Sequence, residues 1–232
     1  MNNILDYLNK GISDLNPYEP GRSIDAVVAE YKPERVVKLA SNENPLGPSP
    51  KAIEALSNNA NDLHLYPDGD SKKLKLLIAE HESLDVSNII IGNGSNEVLE
   101  LAARAFLNKE SSALMSKHAF AVYKIVAQSN GSKIIEVPTI NWGHALENFH
   151  SHLDDSTRVC FVANPNNPTG TYNSHNEFGL MMEKIPSSVL VILDLAYFEY
   201  VQEDDYVDTN LSLIHISEPT RPRLISYAVF CL

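Results

Sequence analysis

Cysteine is nearly absent. Cys160 sits inside an apolar run and Cys231 is next to the last residue, so no disulfide framework or thiolate metal site can be assembled. Cys160 is expected to pack as a small buried hydrophobe in a reducing compartment. No run approaches the roughly 18 apolar residues of a membrane span. The opening Met1–Leu8 lacks the basic flank and apolar core of a secretory signal, which predicts a cytoplasmic protein. Positive charge is also scarce: 18 Lys and Arg face 30 Asp and Glu, a net charge of −12. That balance argues against nucleic acid or an anionic membrane as partner. The 8 histidines show no triad or metal spacing; His144, His150 and His152 cluster loosely and read as solvated polar residues.

A chain of 232 residues, 44% hydrophobic and 21% charged, is long enough for one large domain or one and a half. Residues 1–35 form a short amphipathic segment and an extended arm around Asn16-Pro17-Tyr18-Glu19-Pro20-Gly21-Arg22. Strands are expected at Val36–Ala40, Asn88–Ile91, Ser111–Met115, Lys133–Val137, Thr157–Ala163 and Ser188–Leu193. Helices are expected at Pro50–Asn58, from about Lys72, at Val98–Leu107, Phe120–Ser129, Leu146–Leu153 and after Ser174. Strand and helix alternate with short connections, which predicts an α/β fold with a mostly parallel sheet flanked by helices.

Two runs carry the chemistry. Thr157–Ala163 is β-prone without alternation, as a strand buried on both faces must be, and it ends in Asn164-Pro165-Asn166-Asn167-Pro168-Thr169-Gly170. Val191–Leu193 likewise delivers Asp194-Leu195-Ala196-Tyr197. Open α/β sheets bind ligands outside the carboxyl ends of such strands, so Asn167 and Asp194 are expected on one rim. A carboxylate placed there needs a cationic partner, and a protonated ring nitrogen would serve. Earlier, Gly92-Asn93-Gly94-Ser95-Asn96-Glu97 lies where a strand should meet a helix, either a capping motif or an anion site. The third glycine of a dinucleotide fingerprint is missing. Phe120, at the end of another strand, is by itself either core or a platform for a flat ligand.

The pairing of Asn-Pro-Asn-Asn-Pro-Thr-Gly with Asp-Leu-Ala-Tyr resembles the fold-type I pyridoxal-phosphate (PLP) aminotransferases, most closely the histidinol-phosphate aminotransferases, from about Leu15 to about Asp208. The resemblance implies the PLP-dependent transferase large domain, here incomplete at its C-terminus. Gly94, Ser95 and Asn96 would hold the cofactor phosphate, Phe120 would stack on the ring, and Asn167 and Tyr197 would share its phenolic oxygen. Asp194 would keep the ring nitrogen protonated, and Tyr66 would reach the phosphate of a neighbouring subunit in a homodimer. Tyr18 and Asn44 would contact substrate, with Arg22 a weaker candidate for a substrate phosphate. Leu195 departs from the glutamate usual in the family and would alter packing beside Asp194.

The implied activity is transamination between histidinol phosphate and 2-oxoglutarate in histidine biosynthesis. A sibling aminotransferase or decarboxylase, or a non-catalytic fragment, are the alternatives. The resemblance also demands a Schiff-base lysine about thirty residues after Asp194, yet the last lysine is Lys184. Residues 36–209 are expected to be a partial PLP-binding domain holding five or six strands, after an arm and small-domain start at 1–35. Residues 210–232 break the pattern and read as a non-native tail resembling translated library adapter. The chain as written is therefore expected not to transaminate.

Overall fold

The computed structural model describes residues 4–8, 10–16 and 21–206. Tyr18 and the tail at 210–232 lie outside the described residues. The chain divides into two compact units, one drawn from Met1–Asn16 and Lys72–Leu232, the other Pro17–Ser71.

The second unit holds two of the helices. The first unit begins with the short α1 (Lys10–Ser13); the second carries α2 (Ile24–Tyr31) and α3 (Pro50–Asn59). Ser23 caps α2 by accepting from Ala26 N, and Pro50 starts α3 where its missing N–H costs nothing. The first unit continues with α4 (Lys72–Glu82), α5 (Gly94–Phe106), β1 (Ser112–Ser116), α6 (Ala121–Ser129) and β2 (Lys133–Val137). It then adds α7 (Phe149–His152), β3 (Thr157–Ala163), α8 (His175–Lys184) and β4 (Leu190–Asp194).

The strands form one parallel sheet in the order β2-β1-β3-β4. Both faces are covered, which is why Ala113–Met115 of β1 and Val159–Ala163 of β3 are apolar without alternation. Ala113, Met115, Val159, Phe161 and Ala163 join Leu99 and Ala103 of α5 and Val122, Tyr123 and Val126 of α6 in one core. Leu114, Cys160 and Val162 point the other way, into a second core with Phe149 of α7 and Phe178 and Met181 of α8. Each Val, Leu, Phe or Met among them contributes about 1.5–3 kcal/mol when taken fully out of water. A capping box fixes the start of α8: Glu177 N donates to Ser174 Oγ, and Ser174 N donates to Glu177 Oε2 at 2.8 Å.

Four expectations need correction. Val36–Ala40 and Asn88–Ile91 are not strands. The first lies in irregular chain, and the second begins at the last residue of a 3-10 turn, Val86–Asn88, and has no ladder partner. Short apolar runs take β structure only where a neighbouring strand accepts their hydrogen bonds. The described sheet accordingly has four strands, not five or six. His144 is not solvated: it is buried, with Nδ1 2.7 Å from Ser116 Oγ and Nε2 2.8 Å from Ala163 O.

Candidate active site

After β1 the chain turns to one side of the sheet to make β2, and after β3 to the other side to make β4. The strand order therefore reverses between β1 and β3, where an α/β sheet opens a crevice at its carboxyl edge. A cavity of about 270 Å³ lies there, lined by Asn93, Gly94, Ser95, Asn96, Phe120 and Ala163, and by Pro165, Asn167, Asp194, Ala196 and Tyr197.

The loop entering α5 supplies one wall. Gly92 leaves no room for a side chain, since a Cβ would stand 2.9 Å from the Val98 side chain. Gly94 has φ +76°, a backbone region closed to most L-residues. Glu97 reaches back to take Asn93 N at 2.5 Å and Asn93 Nδ2 at 3.1 Å, which secures the turn. The first amides of a helix have no intrahelical acceptor, and the dipole adds positive potential. This end of α5 is suited to an anion.

Asp194 closes β4. Its Oδ2 accepts from Tyr123 Oη at 2.8 Å, its Oδ1 from Ala196 N at 3.1 Å, and its carbonyl from Asn164 N at 2.9 Å. Burial raises the carboxyl above the usual range, while the Tyr123 and Ala196 hydrogen bonds pull it down. Among the described residues no cation offsets that burial. Tyr123 itself is fully buried, edge-on to Phe120 at 5.6 Å and stacked on Phe161 at 4.9 Å. Desolvation, then the Asp194 charge, hold its phenol well above the usual value, so it acts as a neutral donor.

Asn167 Nδ2 donates to Tyr197 Oη across 3.4 Å. The loop is anchored by Asn166, whose N donates to Thr171 O and whose Nδ2 donates to His118 O at 2.9 Å and Thr169 Oγ1 at 2.8 Å. The turn is further closed by Gly170 N donating to Asn166 O at 2.8 Å.

The cavity brings together Gly94, Ser95, Asn96, Phe120, Asn167, Asp194 and Tyr197. Tyr66 and Asn44 belong to the other unit. Tyr66 is fully exposed there, and Asn44 Oδ1 accepts from Leu46 N at 3.0 Å. Arg22, in the same unit, is held by Glu30 and lies over the Tyr31 ring. Tyr123 is the residue that sequence reasoning missed. Its spacing three residues beyond Phe120, on the buried face of α6, was the available signal.

A parallel sheet whose switch point opens on such a cavity defines a class: an α/β domain that takes a small molecule at the carboxyl ends of its strands. Residues 34–227 match the family of class I and II aminotransferases, and the chain belongs to that family. Class I and II aminotransferases depend on pyridoxal phosphate.

Among curated relatives, histidinol-phosphate aminotransferase 2 of Pseudomonas fluorescens is 47% identical over 200 residues, 85% of this chain and 54% of that protein. The enzyme of that name from Hydrogenovibrio crunogenus is 47% identical over 197 residues, 85% of this chain and 53% of its own. The chain thus spans about half the length of the curated relatives it matches. Among solved structures, histidinol-phosphate aminotransferase from Sinorhizobium meliloti, in complex with pyridoxal-5'-phosphate, matches with a TM-score of 0.78. It is 22% identical, over 87% of this chain and 54% of its own. L-threonine-O-3-phosphate decarboxylase from Porphyromonas gingivalis matches with a TM-score of 0.57 at 24% identity, over 68% of this chain and 47% of its own. At these identities the structural likenesses establish the fold alone.

The lining fits pyridoxal phosphate. A partly buried carboxylate lacking a cation suits a protonated pyridine nitrogen, Phe120 offers a flat face, and the start of α5 suits a phosphate.

Proposed function

We propose that this chain is the greater part of the cofactor-binding domain of a cytoplasmic histidinol-phosphate aminotransferase, working between histidinol phosphate and 2-oxoglutarate in histidine biosynthesis. Residues 36–209 would form that domain, 1–35 the arm and start of a smaller domain, and 210–232 a non-native tail. The observation that carries the reading is Asp194, a carboxylate raised by burial at the rim of a strand, facing a cavity with no cation beside it among the described residues. The choice of substrate rests on the names of relatives at 47% identity.

When bound, pyridoxal phosphate supplies an electron sink that stabilises negative charge on a substrate carbon. The residues divide the work of holding it. Asp194 would hold the proton on the ring nitrogen, and Tyr123 and Ala196 N orient its carboxylate. Ser95, Asn96 and the Gly94 turn take the phosphate at the start of α5. Asn167 and Tyr197 would donate to the phenolic oxygen, and Phe120 would offer a flat face to the ring.

A homodimer belongs to the same reading. Leu76 and Leu77 of α4 and Leu101 and Phe106 of α5 leave apolar surface exposed, and Tyr66 stands free in the other unit for a neighbouring copy. Tyr18 and Asn44 would meet the substrate. A second reading, a non-catalytic binding fragment, is favoured by one sequence fact: no lysine follows Lys184.

A titration of the chain with PLP, read by quenching of Trp142, the sole tryptophan, tests the binding site. Ser95→Ala is expected to weaken PLP about tenfold while leaving pyridoxal, which lacks the phosphate, unchanged. Equal loss for both ligands, or for neither, would remove the phosphate role from α5. Thermal protection of the PLP-loaded chain by histidinol phosphate, absent with histidinol, would support the substrate assignment; equal protection by both would contradict it.

A further inference from the structure

One buried side chain bridges the carboxyl ends of β1 and β3. His144, from the connection after β2, meets Ser116, the last residue of β1, and Ala163, the last of β3. It is 5% exposed. The Ala163 carbonyl can only accept, so Nε2 must carry the proton in the 2.8 Å bond. In a neutral ring Nδ1 is then an acceptor, and the Ser116 hydroxyl donates to it at 2.7 Å. None of its partners is charged: Ser116 comes from β1, Ala163 from β3, and Asn173, from the loop before α8, donates Nδ2 to the His144 carbonyl at 3.1 Å. Burial without a carboxylate partner lowers the tendency of the ring to take a second proton.

The peptide that His144 holds is shared by both halves of the site. Its carbonyl is Ala163 O, and its N–H, on Asn164, donates to Asp194 O at 2.9 Å. From the same Asn164 the side chain clasps Asn173: Nδ2 donates to Asn173 O and Asn173 N donates to Oδ1, each at 2.9 Å. Tyr206 Oη donates to the Asn164 carbonyl. One peptide plane therefore connects His144 to the strand end bearing Asp194 and to the loop bearing Asn167.

We propose that His144 is a positioning residue of the cofactor site: as an imidazole protonated on Nε2 it fixes the Ala163–Asn164 peptide and, through it, the spacing of Asp194 from Asn167. The proposal rests on the cofactor reading above for what that spacing serves. It does not rest on it for the state of the ring. A polar filler of a core gap would tolerate replacement by an apolar ring of similar size. A positioning residue would not, because the Ala163 carbonyl would be left without its donor.

The test uses the full chain with 15N-labelled histidine and one set of variants. Nitrogen–proton correlation spectra should show one histidine protonated on Nε2 alone, unchanged between about pH 5 and 8, and lost in His144→Gln. A ring that titrates in that window, or carries its proton on Nδ1, would overturn the proposal.

PLP titration then reads the consequence. His144→Gln, which keeps a donor for Ala163, should bind within about threefold of the parent, and His144→Phe about tenfold or more weakly. Ser116→Ala, a smaller change that serves if the phenylalanine variant does not fold, should lose about threefold to tenfold with its thermal transition little moved. Parental affinity in His144→Phe, or in Ser116→Ala where His144→Phe does not fold, would overturn the positioning role. Absence of PLP binding by the parent chain would instead defeat the cofactor reading, and the spectra would still decide the state of His144.

Discussion

Asp194 shows how a single residue can be set against its own surroundings. It stands at the end of an apolar strand, its carboxyl raised by burial and steadied by Tyr123 and Ala196 N. A folded-state value raised above the unfolded one means the native chain binds the proton more tightly. Its contribution to stability is present below about pH 4 and is lost as the pH rises through the folded value. At neutral pH the ionised group is therefore a cost. Asp194→Asn is expected to raise the stability of the ligand-free chain by about 0.5–2 kcal/mol in denaturant unfolding at pH 7, and to lose that advantage in acid.

His144 has the opposite sign. Burial lowers it, so the unfolded chain binds more protons below about pH 6.5. A component of acid destabilisation should begin there and disappear in His144→Gln. A pH series of urea unfolding for the two chains measures it.

Residue placements were unevenly legible. Asn167 and Asp194 could be expected on one rim because each follows an apolar strand run, and Phe120 was added by the resemblance to the aminotransferases; all three line the cavity. Tyr123 and His144 were missed: the spacing on α6 marked Tyr123 only as buried, and the partners Asp194, Ser116 and Ala163 come from distant parts of the chain.

Elements were read most reliably where both neighbours supported them. β2 and β3 occupy the expected residues, and Ser174 caps α8 as its sequence suggested. Val36–Ala40 and Asn88–Ile91 have the composition of strands but no partner in the sheet, and pairing is not visible in local sequence. The amino ends of the strands hold a feature that composition hides entirely. Asp154 Oδ1 accepts from Ser112 Oγ at 2.9 Å, Ser156 N at 3.0 Å and Thr157 Oγ1 at 3.0 Å, while Oδ2 takes Lys133 Nζ at 2.8 Å. It thereby ties β1, β2 and β3 together where they begin.

The Lys133 ammonium first, then Ser156, hold the Asp154 carboxyl below the usual carboxylate range. Its contribution is present above about pH 4 and is lost as the pH falls. Asp154→Ala should destabilise the chain by about 1–3 kcal/mol at pH 7, with no change in PLP affinity per folded molecule. A loss that persists undiminished at low pH would contradict this role.

At the scale of the whole molecule, the first unit carries a sheet, two cores and the residues that line the cavity, while the chain spans about half the length of the curated relatives it matches. No helix among the described residues is long and apolar enough to cross a membrane. Because no lysine follows Lys184, the polypeptide as given should hold PLP without a covalent bond. Borohydride treatment of the loaded chain followed by peptide mass analysis should find no single lysine stoichiometrically labelled, and incubation with histidinol phosphate and 2-oxoglutarate should give no glutamate. Stoichiometric labelling of one lysine, or steady turnover, would show that another amine does this work.

The central claim is that Asp194 is the counter-charge for a protonated cofactor ring, and the PLP dissociation constant of the parent chain against Asp194→Asn tests it most directly. At pH 7 the account predicts binding weakened about tenfold or more in the variant, although the variant is the more stable protein. Equal affinity in the two chains would contradict it.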